Sequence, residues 1–198
     1  MNRTPLLLIC IISLLLASKQ SIAQSELFDN LLQRSTLSFI QPAGFDSIGI
    51  IDNSVMEYEF AIKHRTKNFE VRYAIRPLDT LLQQYAEKEA NKKPGDINLN
   101  PNGLYATLLK TTTLNISNGY LPEMVVFDKT AVKEEFNADW GGTTYVEVGK
   151  EFGKGYKFCM IVAIHKDNVA DAYLFFLSDN ADNFNDIMLD AFHSLKFN

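Results

Sequence analysis

The strongest constraint on the fold of this chain lies near its C-terminus. Two runs, Tyr156 to His165 and Val169 to Leu177, are apolar on both faces and are separated by Lys166-Asp167-Asn168. A strand with one wet face alternates apolar and polar residues, whereas one apolar at nearly every position has to be covered on both sides. The short polar link predicts a tight turn, so the two runs form a hairpin at the centre of a covered sheet.

The rest of the chain supplies more strands and the helices to cover them. Met56, Tyr58, Phe60 and Ile62 alternate with Glu57, Glu59, Ala61 and Lys63, and Phe69, Val71, Tyr73 and Ile75 alternate with Glu70, Arg72, Ala74 and Arg76. This period of two predicts a pair of half-buried strands, joined through His64 to Asn68 as an antiparallel hairpin. Thr36 to Ile40, Phe45 to Ile51 and Thr143 to Val148 read as further extended segments. Apolar residues recur at helical spacing in Leu27, Phe28, Leu31 and Leu32, from Leu78 to Ala86, from Leu104 to about Leu114, from Asp128 to Phe136, and from Phe184 to Phe192. The β-branched Thr111-Thr112-Thr113 counts against the third of these helices. The predicted class is α+β: an antiparallel sheet flanked by helices in an α/β/α sandwich, one domain over residues 24–198.

Residues 1–23 read as a secretory signal peptide. Arg3 precedes an apolar run from Leu6 to Ala17, and Ser21 and Ala23 are the small residues that place cleavage before Gln24. The run is shorter than the roughly 20 residues of a membrane span, and Cys10 lies inside it, where it cannot serve as a lipidation site. Losing Arg3 and Lys19 leaves 17 Lys and Arg against 24 Asp and Glu, a formal charge of −7 in place of −5. An acidic chain without clustered Lys and Arg lacks the footprint of a nucleic-acid binder. The expected location is the periplasm or the medium, with no membrane span after signal removal. Cys159, the remaining thiol, sits in Phe158-Cys159-Met160-Ile161-Val162 and reads as a buried small hydrophobe.

Catalytic signatures are missing. There is no Gly-x-Ser-x-Gly elbow and no cysteine set in a loop. The three histidines are far apart, so no metal site and no cofactor are expected; His165 with Asp167 reads as a solvated pair at a strand end, His64 as a turn residue and His193 as part of the last helix. Glu134 and Glu135 project about 100° apart on a helix and do not make an acid/base pair. Gly149 to Gly155 reads as a hairpin turn between strands, not as a phosphate cradle.

The least ordinary segment is Phe136-Asn137-Ala138-Asp139-Trp140-Gly141-Gly142, a predicted loop that holds the one Trp of the chain. Asn137, Asp139 and Trp140 are candidate binding residues, and Lys154 and Tyr156 in the neighbouring hairpin are candidates to share their surface. The competing reading makes Trp140 a core plug and the glycines a helix end.

Leu37-Ser38-Phe39-Ile40-Gln41-Pro42-Ala43-Gly44-Phe45, the terminal hairpin and helix, and the ending Ser194-Leu195-Lys196-Phe197 resemble the PsbP-like α/β/α sandwich superfamily. Its members include the photosystem II extrinsic subunit, a Ran-binding import factor and many exported bacterial proteins. The resemblance implies a fold and mainly non-catalytic binding or adaptor roles, with no residue set to carry over. The leading expectation is an exported non-catalytic module that binds a protein, peptide or envelope component. The alternatives are a small secreted hydrolase-like enzyme and a structural envelope protein.

Overall fold

The computed structural model describes residues 25–198; the expected signal peptide lies outside the described residues. A helix α1 over residues 25–34 leads into a short strand β1 (Leu37–Phe39), followed by β2 (Phe45–Ile48), β3 (Phe60–His64) and β4 (Phe69–Pro77). Helix α2 (Asp79–Ala90), a 3₁₀ turn (Pro101–Gly103) and helix α3 (Tyr105–Ile116) separate these from β5 (Val125–Val126), α4 (Lys129–Phe136) and β6 (Trp140–Glu147). A single-turn α5 (Lys150–Gly153), β7 (Phe158–Lys166), β8 (Ala170–Ser178), α6 (Asn183–Asp186), α7 (Met188–Phe192) and β9 (Leu195–Phe197) complete the chain.

Seven strands form one antiparallel sheet in the order β2-β3-β4-β8-β7-β6-β5, and β1 pairs with β9 in a separate two-stranded ribbon. The strands apolar on both faces are indeed central: β8 lies between β4 and β7 and is buried at every position. Alternate residues feed two cores. Val71, Tyr73, Leu174 and Phe176 face a layer holding α1, α4, α6, α7 and the β1/β9 ribbon, while Ile161, Tyr173 and Phe175 face α3, α5 and Tyr58. The chain is therefore α+β, an antiparallel sheet with helices on both faces.

Several local expectations in the strands and turns are corrected, and two predicted helices form. The first strand of the β3/β4 hairpin begins at Phe60, not Met56, and β4 is buried on both faces, with Glu70 and Arg72 among its buried residues. Its polar parity faces α5, not water, so the two polar residues pair with each other. The expected turn at Gly149 to Gly155 contains helix α5, whose Phe152 is fully buried and packs edge-on against Phe175 at 5.0 Å. The threonines of α3 do not break it, because Thr112 and Thr113 are buried and the Thr113 hydroxyl donates to the Leu109 carbonyl at 2.7 Å. Finally, α2 forms as the apolar spacing predicts yet buries none of its residues.

Candidate binding surface

The candidate residues fall into two groups. Trp140 lies opposite His165 and Glu147 opposite Phe158 in the β6/β7 ladder. Seven residues at about 3.3 Å each set the two ends of this ladder roughly 23 Å apart. Asn137, Asp139 and Trp140 sit at one end, Lys154 and Tyr156 just beyond the other.

Trp140 is not in a loop. It opens β6 and is half-buried, with its indole 4.7 Å from the Tyr105 ring. A Cβ on Gly142 would lie 2.8 Å from the indole, and one on Gly141 would lie 2.9 Å from Phe127. The two glycines are thus sites of close packing inside a strand, a meaning that strand glycines often have. Asn137 is the left-handed C-cap of α4 (φ 49°), and its carbonyl accepts from Lys166 Nζ at 2.7 Å. One oxygen of Asp139 accepts from the Asp167 N–H at 3.0 Å and the other from Lys133 Nζ at 3.4 Å. Burial works against the Asp139 carboxylate, but these donors outweigh it and lower its pKa.

The same end holds a residue whose role sequence reasoning missed. His165 is fully buried, not solvated: Nδ1 lies 2.7 Å from Asp171 Oδ1 and Nε2 lies 3.1 Å from Asp167 Oδ1, under the Tyr105 ring at 4.3 Å. Burial disfavours the imidazolium, yet the Asp171 and Asp167 carboxylates outweigh it and raise the pKa. A His–Asp pair is part of a nucleophilic triad. Here the second ring nitrogen also faces a carboxylate, so the ring has no free nitrogen with which to activate a hydroxyl. Asn102 of the 3₁₀ turn accepts from the Asn168 N–H at 2.5 Å and donates to Asp167 at 3.4 Å, and the Leu78 N–H donates to the Val169 carbonyl at 2.9 Å. This end of the sheet fastens secondary structure together.

The other end is more open. Lys154 is exposed, is the left-handed C-cap of α5 (φ 47°) and pairs with Glu151 at 3.3 Å. Tyr156 turns its ring inward beside a buried ion pair, Arg72 Nε to Glu70 Oε1 at 2.6 Å. The Arg72 guanidinium is held between the Tyr58 ring at 4.9 Å and the Phe152 ring at 4.8 Å, and it also donates to the Phe152 carbonyl. Burial pushes the Tyr156 phenol up and nearby Glu70 adds to the rise, although the hydroxyl has no partner with hydrogen-bond geometry. Two grooves meet here along Glu147 and Val148. One, of about 550 Å³, runs between Lys150, Tyr156, Lys157 and Phe158. The other, of about 590 Å³, runs between Tyr120, Pro122 and Tyr145. Lys63 Nζ lies 5.7 Å over the Tyr156 ring, and Lys150 and Lys157 line the groove beside it.

No protein-family model matches the sequence. No curated protein matches it either. Among solved structures, the chain is similar to the solution structure of cyanobacterial PsbP (CyanoP) from Synechocystis sp. PCC 6803, at 13% identity and a TM-score of 0.47, over 83% of this chain and 88% of that one. The fold class stands on the sheet and helices themselves. Among the described residues, no three His, Cys, Asp or Glu side chains gather to hold a metal ion, and no helix is long and apolar enough to cross a membrane.

Proposed function

We propose that this protein is an exported, non-catalytic binding module and that it meets its partner at the Tyr156 end of the β6/β7 hairpin. The observation that supports this most is the pair of adjoining grooves at Glu147 and Val148, walled by Tyr120, Tyr145, Tyr156 and Phe158 and edged by Lys150 and Lys157. Aromatic side chains supply large contact areas at low conformational cost, and charged side chains at a rim set orientation and specificity. Of the five candidate residues, Tyr156 lines this surface and Lys154 flanks it at the end of α5. Asn137, Asp139 and Trp140 act by holding the far end of the sheet. The signal-like N-terminus supports export of the domain over residues 24–198.

Capture from envelope extract tests the reading. Wild type is compared with Tyr120→Ser/Lys157→Glu, which changes two exposed groove residues, and with Leu189→Ser, which changes an exposed residue on α7. A partner retained by wild type and by Leu189→Ser, and reduced about tenfold or more by the groove variant, supports the surface. Equal capture by all three proteins removes it.

A further inference from the structure

The two edges of the main sheet are treated differently. β2 carries Asp46, paired with Arg65 at 2.8 Å, and its Phe45 carbonyl accepts from the Gln41 side chain at 2.9 Å. Such charges and side-chain covers discourage strand addition. β5 at the other edge presents Val125 and Val126, 57% and 55% exposed, with Tyr120 and Leu121 also exposed just before it.

The ladder fixes which backbone groups of β5 are free to pair outward. Val125 lies opposite Thr143 and Val126 opposite Gly142, and the Phe127 N–H donates to the Gly141 carbonyl at 3.0 Å. In an antiparallel pair hydrogen-bonded residues alternate with non-hydrogen-bonded ones. Phe127 and Val125 therefore bond to β6, whereas the amide and carbonyl of Val126 point away from the sheet. Asp128 is still extended (φ −59°, ψ 134°) before α4 begins at Lys129.

We infer that this edge pairs with a second copy of the chain, β5 against β5, antiparallel about a two-fold axis through Val126. In that register Val126 meets Val126 of the other copy through its two outward groups. Val125 then faces Phe127, Met124 faces Asp128, and Glu123 faces Lys129, each contact occurring twice. Glu123 and Lys129 are both exposed, so the flanking charges are complementary. Sliding by one residue places Glu123 opposite Asp128, two like charges, and turns the outward groups of Val126 toward inward-bonded groups of Val125. Charge and hydrogen bonding thus exclude the one-residue slip, the Glu123–Lys129 pair favours this register, and the two-fold axis closes the assembly as a dimer, not a fibre. This interface goes beyond the proposed partner surface at Tyr156.

Sedimentation equilibrium on the purified protein tests the inference, over a concentration series reaching about 100 µM, where a micromolar contact is populated. Three proteins are compared: wild type, Glu123→Lys, and Glu123→Lys/Lys129→Glu. The expected result is a wild-type dimer, weakened about tenfold by the single change, which sets Lys against Lys, and restored by the double change, which reinstates both pairs. Thermal melts confirm that all three are folded. A monomeric wild type, a dimer indifferent to Glu123→Lys, or a double variant as weak as the single one would each overturn the pairing. None of these results bears on the grooves at Tyr156, which are tested by partner capture.

Discussion

His165 Nδ1 and Asp171 Oδ1 lie 2.7 Å apart on directly opposed residues of β7 and β8, and both side chains are sealed from solvent. Asp167 closes on the other ring nitrogen at 3.1 Å, and Tyr105 covers the ring. An imidazolium satisfies both carboxylates by donating from both nitrogens. The neutral ring satisfies only one of them.

This geometry sets the sign of a pH dependence. The folded-state pKa of His165 is raised above the ordinary value, because the two carboxylates outweigh the opposing effect of burial. The stabilisation is therefore fully present below the unfolded histidine value of about 6.5 and is lost as pH rises through the folded value. Denaturant melts between mildly acidic and mildly alkaline pH should show unfolding free energy falling across that window. In His165→Asn this part of the slope should vanish. A slope unchanged by the substitution would mean that another group carries it.

Arg72 and Glu70 form a buried ion pair that also ties α5 to the sheet through the Phe152 carbonyl. Arg72→Met leaves Glu70 buried and unpaired, and should cost about 3–5 kcal/mol of stability. Arg72→Met/Glu70→Gln should recover much of that loss, because no net charge then stays buried. Urea midpoints of the three proteins measure both effects; a single variant as stable as wild type would show that the pair is dispensable.

The central hairpin and the buried Cys159 are legible in the sequence, because an apolar run has one reading whatever covers it. Arg72 is not legible. It occupies the polar parity of an alternating strand, and only the arrival of Phe152 from a distant helix makes that face interior. His165 misleads for a similar reason, since a residue beside a polar turn looks wet until the Tyr105 ring is laid over it. The distance between Trp140 and Tyr156 was present in the sequence all along: antiparallel pairing of Thr143 to Val148 with Tyr156 to His165 sets Tyr156 near the far end from Trp140. Gly141 and Gly142 look like loop residues because the sequence does not distinguish a glycine that permits a turn from one that admits an indole.

Trp140 packs on Tyr105 and over Gly142 while staying partly exposed. Trp140→Ala should cost about 2–3 kcal/mol, less than the 3–5 kcal/mol of a fully buried large aromatic. Capture of a partner at the Tyr156 end should survive the change under conditions where the variant is folded. A loss of binding with no fall in the denaturation midpoint would make Trp140 a contact residue.

Cys159 is fully buried in β7, and burial pushes its thiol pKa up. The thiolate is the reactive form, so a thiol reagent should not label the native protein and should label it stoichiometrically in denaturant. Labelling of the native fold at the rate of a free cysteine would contradict the packing of this face.

The placement of the partner surface is tested most directly by a photo-crosslinking residue introduced at Lys157, compared with one at Leu189, in cells of the native host. Both positions are exposed, and they lie on different parts of the structure, Lys157 at the paired grooves and Leu189 on α7. Discrete adducts with a partner are expected from position 157, lost when Tyr120→Ser is added, with no such adduct from position 189. Adducts from position 189 alone, or adducts from 157 that Tyr120→Ser leaves unchanged, would contradict this placement.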